Sequence, residues 1–280
     1  MNYRHAFHAG NFADVIKHIA LVAVILHLRR KEKPFCVIDT HAGAGIYDLG
    51  SLESARTGEA AEGIGRLGGV SRDPHYPEAL RIYLDCVNDE GEGRYPGSAR
   101  LASRLLRPQD RLIAIERSSE AATALRSALA RFSNARAIEG DGYERLLSLL
   151  PPPERRGAIL VDPPYESDDE FKRAADVLAR AHRRFATGIY LVWYPIKSRA
   201  AADALYGEVR AHGITSALCL EIDTGRPGTD RERLSAAGVL VVNPPFGFDE
   251  AMREVAAVLA PLLGPAPYKP ACITLVSTPP

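Results

Sequence analysis

From residue 111 onwards, short apolar runs alternate with helical patterns, and this alternation restricts the possible folds more than any other feature. The runs are RLIAIE (111–116), ARAIEGD (135–141), GAILVDPP (157–164) and GIYLVWYP (188–195). Segments with helical periodicity, such as Ser119–Phe132 and Asp168–Arg184, lie between them. Strands that alternate with helices form βαβ units with right-handed crossovers, so the sequence predicts an α/β fold in which helices cover both faces of a parallel sheet.

The residues on either side extend the predicted sheet. Residues 1–30 are predicted to form an arm and a helix, because apolar positions recur at helical spacing over Asp14–Arg30. The run PFCVID then ends in Asp39 as a further strand. Two later runs, at 217–223 and 238–245, bring the predicted sheet to seven mostly parallel strands, the last of them antiparallel.

The regular alternation of strand and helix patterns is interrupted after Gly45. Residues 46–97 are rich in glycine, charge and turn signals, and they contain two helix-like patches. We interpret this region as a small inserted helical subdomain. The main domain is then expected to consist of residues 1–45 and 98–280.

The composition is that of an ordinary globular protein. Hydrophobic residues make up 46% of the chain and charged residues 25%. Thirty-five basic residues balance thirty-five acidic ones, which leaves no net field. A polyanionic partner would therefore have to be bound by local basic patches.

Cysteine usage and the N-terminus indicate where the protein acts. The cysteines lie far apart without a C-x-x-C pair, as expected for buried free thiols in a reducing compartment; they are Cys36, Cys86, Cys219 and Cys272. The N-terminus has no apolar signal segment, and the run Ile19–Leu28 is too short to span a bilayer. We expect a soluble cytoplasmic protein without a membrane partner.

Acidic residues follow the predicted strands at one edge of the sheet. Ligands in an open parallel sheet bind beyond the carboxyl ends of the strands, so these residues are considered together. They are Asp39 with Gly43 and Gly45, then Glu116, Asp141 and Asp162. Four predicted strands thus each lead to an acid at the same edge of the sheet, which we call the rim of acids.

The first of these turns is an incomplete dinucleotide-binding motif. Gly43 and Gly45 allow a close approach of the backbone to a ligand, but Asp48 stands where the third glycine is needed. Glu116 is suited to accept hydrogen bonds from both ribose hydroxyls of an adenosine, and Asp141 from the adenine amine. Taken alone, each acid is better explained as a helix N-cap. The order of the acids along the chain favours the ligand.

This order resembles that of class I S-adenosylmethionine-dependent methyltransferases, which have a Rossmann-like fold. The motif D-P-P-Y, which begins at Asp162, resembles the signature of enzymes that methylate the exocyclic amine of adenine. That amine is a poor nucleophile, because its lone pair is delocalised into the ring. Hydrogen bonds from the amine to the Asp162 carboxylate and the Pro163 carbonyl would let the nitrogen pyramidalise. Tyr165 would stack on the flipped base, and the reaction requires no metal.

A second motif, VNPPF, fits the same general signature. Its Asn243 can accept through the amide oxygen, and Phe246 can stack. However, Asn243 follows the closing strand, whereas Asp162 follows the strand where this fold places its catalytic loop. We therefore interpret VNPPF as a strand terminator.

Six stretches in order resemble the RlmJ family, which methylates N6 of one adenine in bacterial 23S ribosomal RNA. The resemblance runs from Tyr3 to about Pro245. The stretches are YRHAFHAGNFADVIKH (3–18), DTHAGAG (39–45), RTGE (56–59), YPGS (95–98), RRGAILVDPPYE (155–166) and RFATGIYLVWYP (184–195).

The resemblance implies site residues, an RNA partner and an inserted helical subdomain. Residues that contact S-adenosylmethionine or lie at its pocket would be Lys17, His18, His41, Ser98, Glu116, Asp141, Gly142 and Asp162. Asp162 would also handle the amine proton, and Tyr3 with Arg4 would meet the RNA. The partner would be 23S rRNA, free or in an early precursor, and a monomer is expected.

For three of these residues, physical chemistry alone is less specific. A helix that opens at Ser98 presents its hydroxyl and free N–H groups to a carboxylate, but a plain N-cap explains the serine equally well. Without the resemblance, His18 and His41 are better explained as structural histidines.

Several basic patches are candidates for holding RNA. They are LRRKEK (28–33), the set Arg100, Arg104 and Arg107 on one predicted helix, RAHRR (180–184), and a polar loop with Arg226, Arg231 and Arg233. Because the loop is expected beside the catalytic rim, we predict that its arginines contact phosphates. Replacing all three by alanine should then reduce the salt dependence of RNA binding.

Two alternatives remain open. One is an adenine-N6 methyltransferase that acts on DNA, and the other is a non-catalytic RNA-binding protein on the same fold. Retention of every expected acid disfavours the second alternative. Asp48 at the third glycine position disfavours a nicotinamide-dependent oxidoreductase, and Asp162 disfavours a protein-glutamine methyltransferase, which usually carries Asn in the first motif position.

The two proline motifs can be distinguished by mutation. Asp162→Ala should abolish methyl transfer while cofactor binding survives, whereas Asn243→Ala should keep most of the activity. A single-turnover assay measures both. The opposite pattern would show that the predicted strand order is wrong.

Overall fold

A mixed eight-stranded sheet lies at the centre of the structure, a computed structural model that describes residues 7–70, 75–167, 169–225, 234–264 and 271–277. Its strands are β1 (Cys36–Asp39), β4 (Arg111–Glu116), β5 (Ala135–Glu139), β6 (Gly157–Val161), β7 (Ile189–Pro195), β8 (Ala217–Asp223), β9 (Ala236–Val242) and β10 (Cys272–Ser277). Two short strands, β2 (Ile46–Asp48) and β3 (Arg94–Pro96), pair separately.

The helices are α1 (Phe12–Arg29), α2 (Leu52–Thr57), α3 (Glu59–Glu62), α4 (Glu78–Asn88), α5 (Ser98–Leu105), α6 (Ser119–Leu129), α7 (Gly142–Leu149), α8 (Glu170–Arg184), α9 (Arg199–Ala211) and α10 (Phe248–Leu263). A 3-10 helix, Ile64–Leu67, follows α3. Among the described residues, no helix is both long and apolar enough to cross a membrane.

The strand order is β10-β8-β9-β7-β6-β1-β4-β5. The five strands from β7 to β5 pair in parallel, which confirms the predicted α/β fold with a mostly parallel sheet. The predicted antiparallel closing strand is β9, which runs antiparallel to both β7 and β8. The predicted number of seven strands was wrong. The eighth strand, β10, lies beside β8 at the edge of the sheet, and its residues follow the last sequence motif used for the prediction.

Both faces of the inner parallel strands are buried, whereas the edge strand β5 is partly exposed. In β4, Leu112 and Ala114 belong to the core on one side of the sheet, while Ile113 and Ile115 belong to the core on the other. Successive side chains of a strand point to opposite faces, so a strand covered on both sides reads as a continuous apolar run. Because these strands are buried on both faces, they could be recognised as apolar runs in the sequence.

The cysteines follow this pattern of burial with one exception. Cys36, Cys86 and Cys219 are buried free thiols, as expected. Cys272 is exposed, which corrects the prediction for that residue. It begins the edge strand β10, where only β8 lies alongside.

The segment 46–97 leaves and re-enters the main fold at neighbouring positions. Ile46 at its start pairs with Pro96 near its end, since β2 and β3 form an antiparallel pair. The chain thus enters a strand, not a helix, directly after the G-x-G turn. In the dinucleotide motif, the third glycine allows a helix to pack closely against a strand. Because a strand follows the turn here, no glycine is needed at that position, and Asp48 is compatible with the turn. The limits of the inserted subdomain stay a prediction.

The motif VNPPF lies at the amino-terminal ends of the parallel strands, whereas Asp162 lies at their carboxyl ends. Strand β9 ends at Val242, as predicted, and its antiparallel register places Val242 beside Tyr190 near the start of β7. Asn243 adopts a left-handed conformation with φ 54°. Its Nδ2 donates to the carbonyls of Ala186 and Gly188, each at 2.8 Å. Asn243 thus closes a turn far from the rim of acids.

Asn243→Ala should lower the free energy of unfolding by about 1–3 kcal/mol, because alanine is strained at this φ and two carbonyls lose a donor. Urea unfolding followed by circular dichroism measures the change. Asn243→Asp, which tolerates the same φ but cannot donate, should have an intermediate effect. Wild-type stability in Asn243→Ala would contradict this role.

Candidate active site

A cavity of about 880 Å³ opens at the carboxyl ends of β1, β4, β5 and β6. Its size lies within the range of roughly 300–1,000 Å³ that is usual for small-molecule sites. Nine of the ten residues predicted to contact the cofactor line it: Lys17, His18, His41, Gly43, Ser98, Glu116, Asp141, Gly142 and Asp162. The tenth, Asp39, is buried and bonded to the lining residue Ser98.

The G-x-G turn is shaped by a tyrosine that the sequence did not reveal. Gly43 and Gly45 have φ values of 62° and 82°, which favour glycine. A Cβ on Gly43 would lie 2.0 Å from the Tyr47 hydroxyl, which accepts a hydrogen bond from the Ala44 amide at 3.1 Å. Gly43 therefore leaves space for Tyr47 as well as for a ligand.

Glu116 is held by backbone amides on both carboxylate oxygens. Its Oε2 accepts from Gly43 N at 2.9 Å, and its Oε1 accepts from Ser118 N at 2.7 Å. A carboxylate has about four acceptor positions, so each oxygen can still accept from a ligand. The geometry fits a pair of ribose hydroxyls.

Asp141 is a helix N-cap that also lines the cavity. It is the N-cap of α7, where its Oδ1 accepts from Tyr143 N at 2.9 Å and Glu144 N at 3.2 Å. Its Oδ2 accepts from Arg173 at 2.9 Å. Burial opposes ionisation, but these hydrogen bonds and the Arg173 charge together lower the pKa of Asp141. It remains an anionic acceptor on the cavity wall.

Ser98 is not the N-cap of α5, which corrects one interpretation of this residue. The N-cap is Gly97, and the Ser98 hydroxyl donates to Asp39 Oδ2 at 2.6 Å. The His41 amide donates to Asp39 Oδ1 at 3.3 Å. Burial raises the pKa of Asp39 to about 6 against the opposing effect of the Ser98 hydrogen bond. Asp39 thus supports two lining residues from beneath the cavity.

A buried lysine connects α1 to the D-P-P-Y motif. Lys17 Nζ lies 2.5 Å from Asp162 Oδ2 and 2.6 Å from Asp14 Oδ1, and its side chain is only 3% exposed. Burial alone would lower the pKa of Lys17, but the charges of Asp14 and Asp162 outweigh it and raise the pKa. Lys17 is therefore a cation, and it fixes one oxygen of Asp162 at the cavity.

The remaining motif residues differ in exposure. Pro164 lines the cavity, whereas Pro163 and Tyr165 are buried beside it. The Tyr165 hydroxyl donates to the Trp193 carbonyl at 2.8 Å, and its ring centroid lies 4.6 Å from that of Phe171. A base stacked on Tyr165 would have to reach a residue that is 9% exposed. Stacking by Tyr165 stays a prediction.

The two lining histidines are both well held by protein contacts. His18 Nδ1 lies 2.8 Å from the Tyr95 hydroxyl, and the two rings stack. His41 Nδ1 lies 2.7 Å from Thr40 Oγ1, and its ring packs edge-on against Tyr143. Burial lowers the pKa of His41 to about 4, so its ring is neutral at pH 7. Both histidines thus have protein contacts and also line the cavity, and their contact with a cofactor stays a prediction.

One wall of the cavity comes from α8, which sequence reasoning missed. The Tyr143 hydroxyl donates to Glu170 Oε1 at 2.7 Å, and the Arg173 guanidinium lies 4.5 Å from the centre of the Tyr143 ring. Glu170 and Arg173 are three residues apart, which places them on one helix face. The spacing alone could not show that this face meets α7.

Some proposed RNA contacts lie outside the described residues, and one patch is already paired. Tyr3, Arg4, Arg226, Arg231 and Arg233 are not among the residues that the structure describes. Helix α5 ends before Arg107, which corrects the prediction of three arginines on one helix. Arg100 and Arg104 both pair with Glu90, and Arg107 pairs with Asp110. The patch 28–33 lies at the amino edge of the parallel strands, opposite the cavity.

The donor and acceptor set fits S-adenosylmethionine. Glu116 and Asp141 offer acceptors for an adenosine, while Lys17 and the start of α5 offer donors for a carboxylate in the same cavity. No cluster of three His, Cys, Asp or Glu side chains that could hold a metal occurs within the described ranges.

Comparisons with known proteins show which proteins this chain is similar to. A family model described as "Ribosomal RNA large subunit methyltransferase D, RlmJ" matches residues 32–271. Proteins named ribosomal RNA large subunit methyltransferase J from Escherichia coli and Haemophilus influenzae are 41% and 37% identical over 270 residues, and each match covers 95% of both chains. A crystal structure of a Legionella pneumophila protein has a TM-score of 0.87 at 31% identity, and the match covers 96% of this chain and 98% of that one.

The raised pKa of Asp39 predicts how Asp39→Asn changes stability with pH. Because the folded pKa of about 6 exceeds the unfolded one, the stabilising protonated form is present below about pH 4 and lost as the pH rises through 6. The asparagine cannot lose a proton. The unfolding free energy of the variant minus that of wild type should therefore rise by up to about 3 kcal/mol between pH 4 and 6.

Urea unfolding at a series of pH values measures this difference. Asp48→Asn, at an exposed position, is the control and should show no such rise. A difference between Asp39→Asn and wild type that is independent of pH would contradict a buried titrating Asp39.

Proposed function

This chain belongs to the RlmJ family of ribosomal RNA large subunit methyltransferases, and we propose that it methylates N6 of one adenine in 23S rRNA. One observation carries the proposal. Asp162, held by Lys17, lies in the same cavity as Glu116 and Asp141, which follow the strands on the other side of β1. The site can thus hold an adenosine-bearing methyl donor beside an acceptor for a second amine.

The cofactor half of the site positions the methyl donor. Glu116 accepts the two ribose hydroxyls, and Asp141 accepts the adenine amine. Lys17, His18 and the start of α5 receive the methionine end. When bound, S-adenosylmethionine supplies an electrophilic methyl group on a sulfonium. Alignment of two reactants in this way contributes up to about 7–11 kcal/mol to a rate.

The target half activates the amine. Since Lys17 occupies Oδ2 of Asp162, the second oxygen receives one N–H of the flipped adenine, and the Pro163 carbonyl receives the other. Two fixed acceptors draw the lone pair out of conjugation and stabilise the positive charge that develops on N6. As the N–C bond forms and the S–C bond breaks, the surplus N6 proton passes to Asp162 and then to water.

Residues farther from the chemistry complete the proposal. Tyr3 and Arg4 meet the RNA, Tyr165 stacks on the flipped base, and the 224–233 loop contacts phosphates through its arginines. Residues 46–97 form the inserted subdomain. The substrate is free or early precursor RNA, and the protein acts as a monomer.

Transfer of radiolabelled methyl from S-adenosylmethionine to unmodified, protein-free 23S rRNA tests this function. Nucleoside digestion should place the label in N6-methyladenosine. Asp162→Asn keeps an acceptor but loses the charge, so its single-turnover rate should fall by about 10²–10³-fold. Cofactor affinity should change little, because Glu116 and Asp141 are intact.

Duplex DNA of the same sequence is the control substrate. Label in DNA at a rate equal to that in RNA would favour the DNA alternative. No label in either substrate, with the cofactor still bound, would contradict the proposed activity.

A further inference from the structure

The RTGE stretch at 56–59 packs against the residues that precede α1, and the proposed chemistry does not use it. The Thr57 hydroxyl donates to the Phe7 carbonyl at 2.6 Å, and Ile64 N donates to the Gly10 carbonyl at 2.8 Å. Glu59 Oε2 lies 3.0 Å from both His8 Nδ1 and Asn11 Nδ2. The inserted segment thus holds residues 7–11 through backbone and side-chain contacts together.

Glu59 is an acidic residue at a largely buried position. Its side chain is 11% exposed, and a carboxylate loses hydration when it is buried. The loss is offset by the hydrogen bonds from His8 and Asn11, which lie 51 and 48 residues away in sequence. The hydrogen bond to Glu59 also raises the pKa of His8. A buried acid with such remote partners fixes their position more than it stabilises its own short helix.

The residues that Glu59 holds lead directly to the catalytic aspartate. Asn11 is the N-cap of α1, since its Oδ1 accepts from Asp14 N at 2.9 Å. Gly10 N donates to Asp14 Oδ2 at 2.9 Å. The other oxygen of Asp14 lies 2.6 Å from Lys17, and Lys17 lies 2.5 Å from Asp162. Hydrogen bonds therefore connect Glu59 to Asp162 through the first turn of α1.

We propose that the inserted segment positions the catalytic centre, with Glu59 as the positioning residue that acts through Asp14 and Lys17 on Asp162. This inference rests on the proposed role of Asp162 in methyl transfer. Without Glu59, the α1 N-cap Asn11 loses a hydrogen-bond acceptor, and Asp14, which Asn11 holds through its backbone amide, no longer fixes the ammonium group that orients Asp162. The insertion is then part of the machinery for catalysis, in addition to any contact that it makes with RNA.

Close packing at Gly63 provides an independent way to disturb the same contact. A Cβ on Gly63 would lie 2.2 Å from the Gly10 carbonyl oxygen and 2.5 Å from the Asn11 carbonyl carbon. Gly63→Ala would therefore separate the segment from residues 10 and 11 without removing a charge. Gly69, in the same segment, has no atom within 4 Å of its Cβ position, so Gly69→Ala is its matched control.

Single-turnover rates and cofactor affinities of four variants test the proposal. Glu59→Ala and Gly63→Ala should each lower the methyl-transfer rate by about 10- to 100-fold, because small displacements of catalytic groups cost rates of this size. Their dissociation constants for S-adenosylmethionine should rise by a smaller factor than the rate falls, since Lys17 is displaced at the methionine end but the adenosine contacts of Glu116 and Asp141 are untouched. Glu53→Ala and Gly69→Ala should match wild type.

A double-mutant cycle separates positioning from general stability. In a Lys17→Met background, Glu59→Ala should change the remaining rate by less than about twofold, because the group through which it acts is gone. Glu59→Gln, which still accepts from Asn11, should recover most of the lost rate.

The outcomes also separate this inference from the proposed function. If wild type methylates RNA but Glu59→Ala and Gly63→Ala do so at the wild-type rate, the inference is wrong. Equal effects of Glu59→Ala with and without Lys17 would overturn it too. Should Glu59→Ala fail to fold, Gly63→Ala and Glu59→Gln decide the question in the same assay. An inactive wild-type protein that binds the cofactor would contradict the proposed function itself.

Discussion

The buried group formed by Lys17, Asp14 and Asp162 is the interaction on which the rest of the site depends. A lysine that is 3% exposed can stay charged only if carboxylates replace its lost hydration, and two of them lie within 2.6 Å. These contacts join the first turn of α1 to the loop after β6, two parts of the chain that are 145 residues apart. Removal of either carboxylate would leave a buried charge poorly compensated. The loop that carries the D-P-P-Y motif is thus held by electrostatics from a helix outside the βαβ units.

Four acids at one sheet edge acquire different roles from their surroundings. Asp39 is buried and accepts hydrogen bonds from the neutral Ser98 hydroxyl and His41 amide, and burial raises its pKa to about 6. Glu116 and Asp141 accept from backbone amides and remain available to an adenosine. Asp162 alone contacts a lysine. Under the proposed function, acids at a single rim therefore support the cavity wall, bind the donor and act on the target.

Much of this arrangement could be predicted, because it depends on local patterns. Strands buried on both faces read as apolar runs, and in a parallel sheet the order along the chain places their terminal acids on one rim. What could not be predicted depends on contacts between distant segments. Arg173 reaches Asp141 only because α8 packs on α7, Glu59 reaches Asn11 through the fold of the insertion, and the burial of Tyr165 depends on Trp193. Strand β10 lies beyond the last motif, where no pattern had been considered.

A crystal structure with S-adenosylhomocysteine and an RNA fragment that carries the target adenine would test the central claim most directly. The account predicts that N6 lies at about 3 Å from a carboxylate oxygen of Asp162 and from the Pro163 carbonyl, with Lys17 still bound to the other oxygen. It also predicts the adenosine of the cofactor between Glu116 and Asp141. A target amine placed out of hydrogen-bonding reach of Asp162 would contradict the account.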